Sequence, residues 1–136
     1  MSHATNYFEN IIANFFRTTA VSKPAAHYMA LFSTLPAEDG TGGVELVGNG
    51  YARQRHGPGD ANWAAPVNGD GTLKNLTAVV FPAATANWPN IVGFGIYDAL
   101  TAGNLLLAAP LETPILVALG DPAPAFAPGD LAIVIA

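Results

Sequence analysis

Closely spaced glycine and proline residues restrict the fold of this chain more than any other feature. The sequence contains 14 Gly and 11 Pro. From His27 onward they separate short apolar segments that recur at spacings of about 8–12 residues. Segments this short form strands more readily than helices, and tight turns join strands in antiparallel order. The pattern predicts a mainly β chain, an antiparallel β-sandwich or barrel over residues 27–136, within a single domain that spans 1–136.

The stretch 81–107 is predicted to be the centre of this domain. It reads as a strand over Ile91–Asp98, a connection over Ala99–Asn104 and a second strand from Leu105. Its Gly-x-Gly lacks the third glycine and the following helix of a phosphate loop, so a bulge or a close approach within a strand explains it better. The residues predicted to form the structural core are Phe81, Trp88, Gly93, Gly95 and Tyr97.

One amphipathic helix is predicted near the N-terminus, over residues 5–17. Asn6 is the expected N-cap, and Glu9 is its expected capping-box partner. Six large apolar side chains need cover, either from the chain's own core, which is the favoured alternative, or from a neighbouring subunit. They form two adjacent i, i+4 rows, with Tyr7, Ile11 and Phe15 in one and Phe8, Ile12 and Phe16 in the other.

Three other segments alternate in the way that strands do. In Leu73–Phe81, the face that carries Leu76 and Val80 is the more apolar one and is expected to point to the core. Separate strands are expected over Tyr51–His56 and Thr113–Leu119.

The surface of this chain is expected to be unusually poor in charge. Charged residues make up 11% of the sequence, against about 25% in an average protein. Hydrophobic residues make up 51%. Either Ala, Gly, Pro, Asn and Thr form a neutral surface, or other subunits cover part of this chain. The second explanation is favoured, because apolar surface left in water favours association.

The composition also argues against several classes of partner and compartment. The net charge of −5 makes nucleic acid an unsuitable partner, because phosphates require a basic surface. No apolar segment has the roughly 20 residues that a membrane-spanning helix needs, and no secretory signal is recognised. Without cysteine, the chain needs no oxidising compartment.

No constellation of residues predicts catalysis, a cofactor or a metal site. None of the three histidines is paired at metal-ligand spacing, and no serine lies in a nucleophile motif. Most aspartates lie in glycine or proline turns, where they serve the backbone. Glu38–Asp39 and the turn Asn68–Asp70 are weak calcium candidates that lack regular oxygen spacing. The chain is therefore expected not to be an enzyme.

Binding to other proteins leaves a set of interface candidates. Arg53 and Arg55 are two residues apart and should share one strand face, which is either a solvated face or a contact for an acidic partner. The loop Pro36–Gly43 is a further candidate. The interface candidates are Tyr7, Phe8, Ile11, Phe15, Arg53, Arg55 and Trp63.

Several motifs are more specific than the general pattern: Gly48–Gln54, Phe81–Thr85, Trp88, Gly93–Ala99 and Gly103–Leu106. Together they resemble a family of small virion structural proteins of tailed bacteriophages, over roughly residues 27–135. Members are often labelled tail-fibre proteins, and some resemble jelly-roll-like cement proteins on HK97-type capsid shells. The resemblance implies a jelly-roll-like β-sandwich, a structural role in the virion and no catalytic residue.

The first functional hypothesis is a capsid cement or decoration protein, made in the host bacterial cytoplasm and located on the capsid surface of the virion. It would bind the outer face of the major capsid protein shell as a homo-oligomer, a dimer or a trimer, and stabilise the head. The alternative is a tail-fibre or receptor-binding module whose loops and Trp88 contact host surface glycan. A small virion hydrolase is the least favoured hypothesis.

Overall fold

The computed structural model describes residues 3–66, 69 and 71–135. Its elements follow the chain in this order: β1 (His3–Ala4), α1 (Asn6–Asn14), β2 (Tyr28–Thr34), β3 (Val44–Glu45), β4 (Gln54–Arg55), β5 (Thr72–Lys74), β6 (Val79–Val80), β7 (Ile91–Tyr97), β8 (Leu105–Ile115), β9 (Ala125–Phe126) and β10 (Ala132–Val134). All the strand pairings are antiparallel. The predicted fold class, mainly β with one short helix near the N-terminus, is confirmed.

Six strands of the described chain form the main sheet. Its path is β1-β8-β7-β2, and both β3 and β4 pair with the far edge of β2. Between these two short strands, the backbone N–H and carbonyl of Leu31 form hydrogen bonds with groups that belong to neither strand. Its N–H donates to the Tyr51 hydroxyl at 3.1 Å, and its carbonyl accepts from the N–H of Leu46 at 3.0 Å. The edge of β2 is thereby covered along its length.

One face of the main sheet packs against two short two-stranded sheets, β5–β10 and β6–β9. The alternation of side chains along β2, β7 and β8 places one set of apolar residues on this inner face. These large buried side chains form one continuous core, as in a β-sandwich. The main sheet contributes Met29, Leu31, Phe94, Ile96 and Leu107, and the short sheets with their adjoining residues contribute Val79, Phe81, Phe126, Leu131 and Ile133.

The outer face of the main sheet is built around small residues. Ala30, Gly95 and Ala108 lie side by side across β2, β7 and β8. The rings and branches of Phe32 and Leu105 lie over this row and cover it. The sheet therefore buries both faces in its centre, although a second layer covers only the inner one.

The strand predicted over Leu73–Phe81 is split, and its predicted inward face is wrong. β5 ends at Lys74, and Leu76 and Val80 are exposed, whereas Asn75 and Phe81 are buried. Asn75 is buried because its amide is fully used. It donates to the carbonyls of Thr77 and Ala127, both at 3.0 Å, and accepts from the N–H of Leu131 at 2.9 Å. A polar residue with such partners can lie in a core.

Two other strand predictions also differ from the structure. In Tyr51–His56, only β4 is a strand. Before it, the side chains of Tyr51 and Arg53 both form hydrogen bonds with Glu45. The separate strand expected over Thr113–Leu119 is instead the end of β8, which continues to Ile115 despite Pro110. The pairing register with β7 shifts between Gly93 and Ile91, so the proline is accommodated at an irregularity.

The helix is shorter than predicted and begins with a different cap. Thr5, not Asn6, is the N-cap: its hydroxyl accepts from the N–H of Phe8 and donates to the carbonyl of Leu105 in β8. The last turn tightens to i→i−3 hydrogen bonds, as in the bond from Phe15 to Ile12, and the helix ends at Asn14. Thr5 therefore caps the helix and fastens it to the sheet.

The helix buries its apolar side chains only in part. None of its residues is buried, and the adjoining Phe15 and Phe16 are 66% and 90% exposed. The favoured expectation that the chain's own core covers the six apolar side chains therefore holds only in part, since Phe8 packs half-buried against that core. The helix contacts β1 and β8, at one edge of the main sheet. Within the described residues, no helix has the length and apolar character needed to cross a membrane.

Candidate functional site

An apolar cavity of about 340 Å³ lies between α1 and the body of the protein. The helix forms one wall, and the sheets form the opposite wall through residues such as Leu73, Ile96 and Leu106. Its lining is almost entirely apolar, and the few polar groups belong to Ser22, Lys23 and His27. Four of the predicted interface residues line this cavity together: Phe8, Ile11, Phe15 and Trp63.

The other three interface candidates lie elsewhere. Tyr7 is on the helix but is not part of the cavity lining, and it is exposed. Arg55 is an exposed residue of β4. Arg53 is directed inward, and only 8% of its side chain is exposed. The two arginines therefore do not present a common surface.

Arg53 joins three parts of the chain through its guanidinium group. It forms a bidentate ion pair with Glu45, at 2.7 and 2.8 Å, and donates to the carbonyls of Ala99 and Ala102, both at 2.8 Å. The group lies 3.5 Å from the ring centroid of Tyr97. Planar, bidentate and stacked contacts of this kind suit arginine and not lysine.

Tyr51 completes this network from the same segment. Its hydroxyl donates to Glu45 at 2.7 Å while it accepts from the N–H of Leu31. Burial raises the pKa of the Tyr51 hydroxyl far above its usual range, so the proton of this hydrogen bond is retained at physiological pH. The network holds the turn before β4 and the β7–β8 connection together.

Arg53→Lys is expected to lower the free energy of unfolding by about 2 kcal/mol, because lysine keeps the charge and loses the fork of hydrogen bonds. Chemical denaturation followed by circular dichroism measures this. Arg55→Lys is the matched control and should leave stability unchanged, since Arg55 is exposed. Equal stability of the two variants would contradict the structural role of Arg53.

A second polar cluster joins the cavity wall to the segment before β2. The imidazole Nε2 of His56 donates to the carbonyl of Asn62 at 2.8 Å, and its ring meets the ring of Trp63 edge-on at 4.8 Å between centroids. The N–H of His56 bonds the carbonyl of His27 at 2.8 Å. The Trp63 indole nitrogen is buried without a hydrogen-bond partner in the described structure. Gly57 lies directly against this nitrogen.

Both histidines of this cluster are poised to remain neutral. Burial lowers the pKa of His56, although the hydrogen bond to Asn62 opposes the shift. Burial also lowers the pKa of His27, with a smaller contribution from the nearby charge of Lys23. The described residues contain no group of three His, Asp or Glu that suits a metal ion.

The pKa shifts predict that stability falls on acidification. The unfolded chain binds protons on His27 and His56 below about pH 6.5, whereas the folded chain resists them. The contribution of these two histidines to stability is therefore complete above that pH and is lost as the pH falls through their folded-state pKa values. Urea unfolding at about pH 7.5 and about pH 5.5 measures the loss, and His56→Gln should reduce it. Higher stability at the lower pH would contradict the assignment.

The residues predicted to form the structural core lie inside the protein or within β7. Phe81 and Trp88 are buried, Gly93 and Gly95 lie in the centre of β7, and Tyr97 is half-buried beneath Arg53. Because Trp88 is enclosed, it cannot contact a glycan as the alternative hypothesis required. Asp39 bonds Thr41 within its own loop. Of the weak calcium candidates, Asn68 and Asp70 lie outside the described residues.

Two features of the site escaped sequence reasoning. Glu45 was not predicted as the acceptor of the network. The signal was weak: Tyr51 and Arg53 are two residues apart, so in an extended chain both donors lie on the same side. The cavity was not expected either, because it exists only where the helix stands away from the sheet. The helical rows of apolar residues were the signal that pointed to its walls.

The fold and the cavity together define a small antiparallel β protein with an uncovered apolar surface. A family model, Gp80, described as Podophage GP4 fiber I protein gp80, matches residues 3–134. The match covers nearly the whole chain, so the chain belongs to this family and is a structural component of a phage virion. No curated protein matches the chain.

The expectation of a phage virion protein is confirmed at this level. The family match favours the alternative expectation, a tail-fibre module, over the capsid cement role.

Proposed function

We propose that this chain is a structural subunit of a phage fibre and acts by binding other virion proteins. The observation that carries the proposal is the match of residues 3–134 to a family described as a fiber protein. The proposal assigns no chemistry to the chain. Its partners are then neighbouring copies and other fibre or tail components, not the major capsid protein.

The surface of the chain supports a binding role. The exposed large apolar side chains include Phe15 at 66% and Phe16 at 90%. With only 11% charged residues, the chain has few groups to hold such surface in water. Cover by other subunits removes this apolar area from water and stabilises the assembly.

The structure also narrows the proposal. Trp88 is buried and its indole nitrogen donates to the carbonyl of Asn49 at 2.8 Å, so this ring offers no stacking face to a sugar. Trp88 therefore takes no part in the proposed role as a contact for host glycan. The capsid cement role has no observation in its favour beyond those that fit the fibre role equally well.

The position of the protein on the particle tests the proposal. Antibody against the purified chain, detected with colloidal gold on intact virions, should label fibres or their attachment at the tail. Particles from a phage with a nonsense mutation in this gene should lack the label and the fibre density, with heads that resist heat as well as wild-type heads. Label over the capsid shell, with heads that become heat-sensitive in the mutant, would replace the fibre role with the cement role.

A further inference from the structure

The surface around α1 is an incomplete packing arrangement. An amphipathic helix usually buries its apolar stripe, yet here the stripe faces a cavity, and the end of the helix carries a 66% exposed Phe15 and a 90% exposed Phe16. Burying an aromatic side chain removes about 150 Å² or more of surface from water. The chain thus presents both an empty apolar space and an unburied aromatic side chain beside it.

The cavity suits an aromatic occupant. Its volume of about 340 Å³ lies at the small end of the range for ligand sites, and its walls include Phe8 near the helix start and Ile12 near the helix end. A ring placed there would contact apolar side chains on both sides. Phe16 of the same copy cannot reach this position, because it follows the helix end and points to solvent.

The charges around the helix are separated by sign. Glu9 lies in the first turn, and the loop residue Glu38 is close to it, since its carbonyl accepts from the N–H of Asn6 at 2.9 Å. Arg17 follows the other end of the helix, and Lys23 lies in the next segment at the cavity. All four side chains are exposed, and within the described part of the chain none of them forms an ion pair.

We propose that the surface around α1 binds a second copy of this chain, with Arg17 of one copy beside Glu9 of the next and Phe16 in the cavity. Phe16 adjoins Arg17 in sequence, and Phe8 in the cavity wall adjoins Glu9. Pairing the opposite charges therefore brings the exposed ring to the mouth of the cavity. Local complementarity of this kind offsets the general repulsion between copies that each carry a net charge of −5.

This pairing identifies a second copy of the chain as the binding partner. Its biological setting rests on the proposed fibre role. Pairing of unlike ends is compatible with two antiparallel helices on a two-fold axis or with a closed ring. The solution test is nevertheless independent of the particle. A chain that is monomeric in solution but is found on fibres would overturn only this inference, whereas an associating chain found on the head would overturn only the fibre role.

Sedimentation velocity of the full chain over a range of concentrations provides the first test. The natural chain should associate, and Phe16→Ser should weaken association on the order of tenfold or more. Val47→Ser is the matched control: it removes a comparably exposed apolar side chain elsewhere and should leave association unchanged. Circular dichroism should show that both variants fold, since neither side chain is buried. A monomeric natural chain, or equal association of the two variants, overturns the proposal.

Charge exchange provides the second test. Glu9→Arg and Arg17→Glu should each weaken association, and the double variant should restore it, because the pair is then formed with the charges exchanged. Failure of the double variant to recover while it remains folded overturns the assigned contact.

Cysteine cross-linking provides the third test, and the chain has no natural cysteine to interfere. In the variant Glu9→Cys with Arg17→Cys, mild oxidation should produce covalent oligomers. The two positions are eight residues apart, about 12 Å along a helix, which exceeds the span of a disulfide within one copy. Oligomers from the double variant and only traces from either single variant support the contact. Equal cross-linking of a single variant overturns the proposed pairing of unlike ends.

Discussion

Replacing Trp88 with alanine is expected to lower the free energy of unfolding by roughly 3–5 kcal/mol, the usual cost of deleting a buried aromatic ring. The side chain is only 5% exposed, and its ring meets Tyr51 edge-on at 5.8 Å between centroids. Its indole nitrogen donates to the carbonyl of Asn49, so removal also leaves a carbonyl of the Gly48–Gly50 turn without this partner. Asn49 itself has a φ of 54°, a left-handed conformation that its neighbours must support.

Urea denaturation followed by circular dichroism measures this loss without relying on tryptophan fluorescence. Trp88→Phe should be intermediate, because it keeps a ring and loses the N–H donor. Leu119→Ala removes an exposed side chain from a loop near Trp88 and should change stability by less than about 0.5 kcal/mol. If Trp88→Ala unfolds at the same urea concentration as the natural chain, the ring is not part of the core.

Gly95→Val is expected to destabilise the chain by about 3 kcal/mol, because it overfills the centre of the main sheet. A Cβ at this position would lie 2.8 Å from both Phe32 Cε2 and Leu105 Cδ1, and 3.1 Å from the carbonyl oxygen of Leu107. The φ of Gly95 is not in the left-handed region, so the constraint is space and not backbone conformation. Both neighbours of β7 would have to move away from it.

Thermal and urea unfolding of Gly95→Ala and Gly95→Val should show a graded loss, with the valine variant the less stable. Ala132→Val is the matched control, because it introduces the same branched side chain at an exposed position of β10. A valine variant at Gly95 as stable as this control would show that the outer face has room that the structure does not indicate.

The sequence was sufficient to predict the class of fold. Glycine and proline turns between short apolar segments indicated antiparallel strands, and the helix was recognised from its apolar rows. The inward face of Leu73–Phe81 was not predictable from hydrophobicity, because Asn75 counts as a surface residue there. Only its three hydrogen bonds to backbone groups make its burial favourable, and two of these depend on how Ala127 and Leu131 return to it.

The site was predictable in part for a related reason. Periodicity identified Phe8, Ile11 and Phe15 as a surface in need of cover, and the structure places them around one cavity. Whether the chain's own core supplies that cover depends on how much sheet lies beneath the helix, which local patterns do not encode. The orientation of Arg53 likewise depends on Glu45, eight residues earlier, and on the β7–β8 connection.

The two-residue strands at the margins of the main sheet limit how copies of this protein can join. On one margin, β3 and β4 flank Leu31, whose N–H and carbonyl are already bonded to Tyr51 and Leu46. On the other margin, β1 covers the start of β8, and Pro110 and Pro114 further along β8 have no N–H to offer an incoming strand. Unlimited growth by strand addition is thereby blocked on both sides. Copies that associate as proposed then meet through side chains and not by extending the main sheet, so shape and charge decide how many of them join.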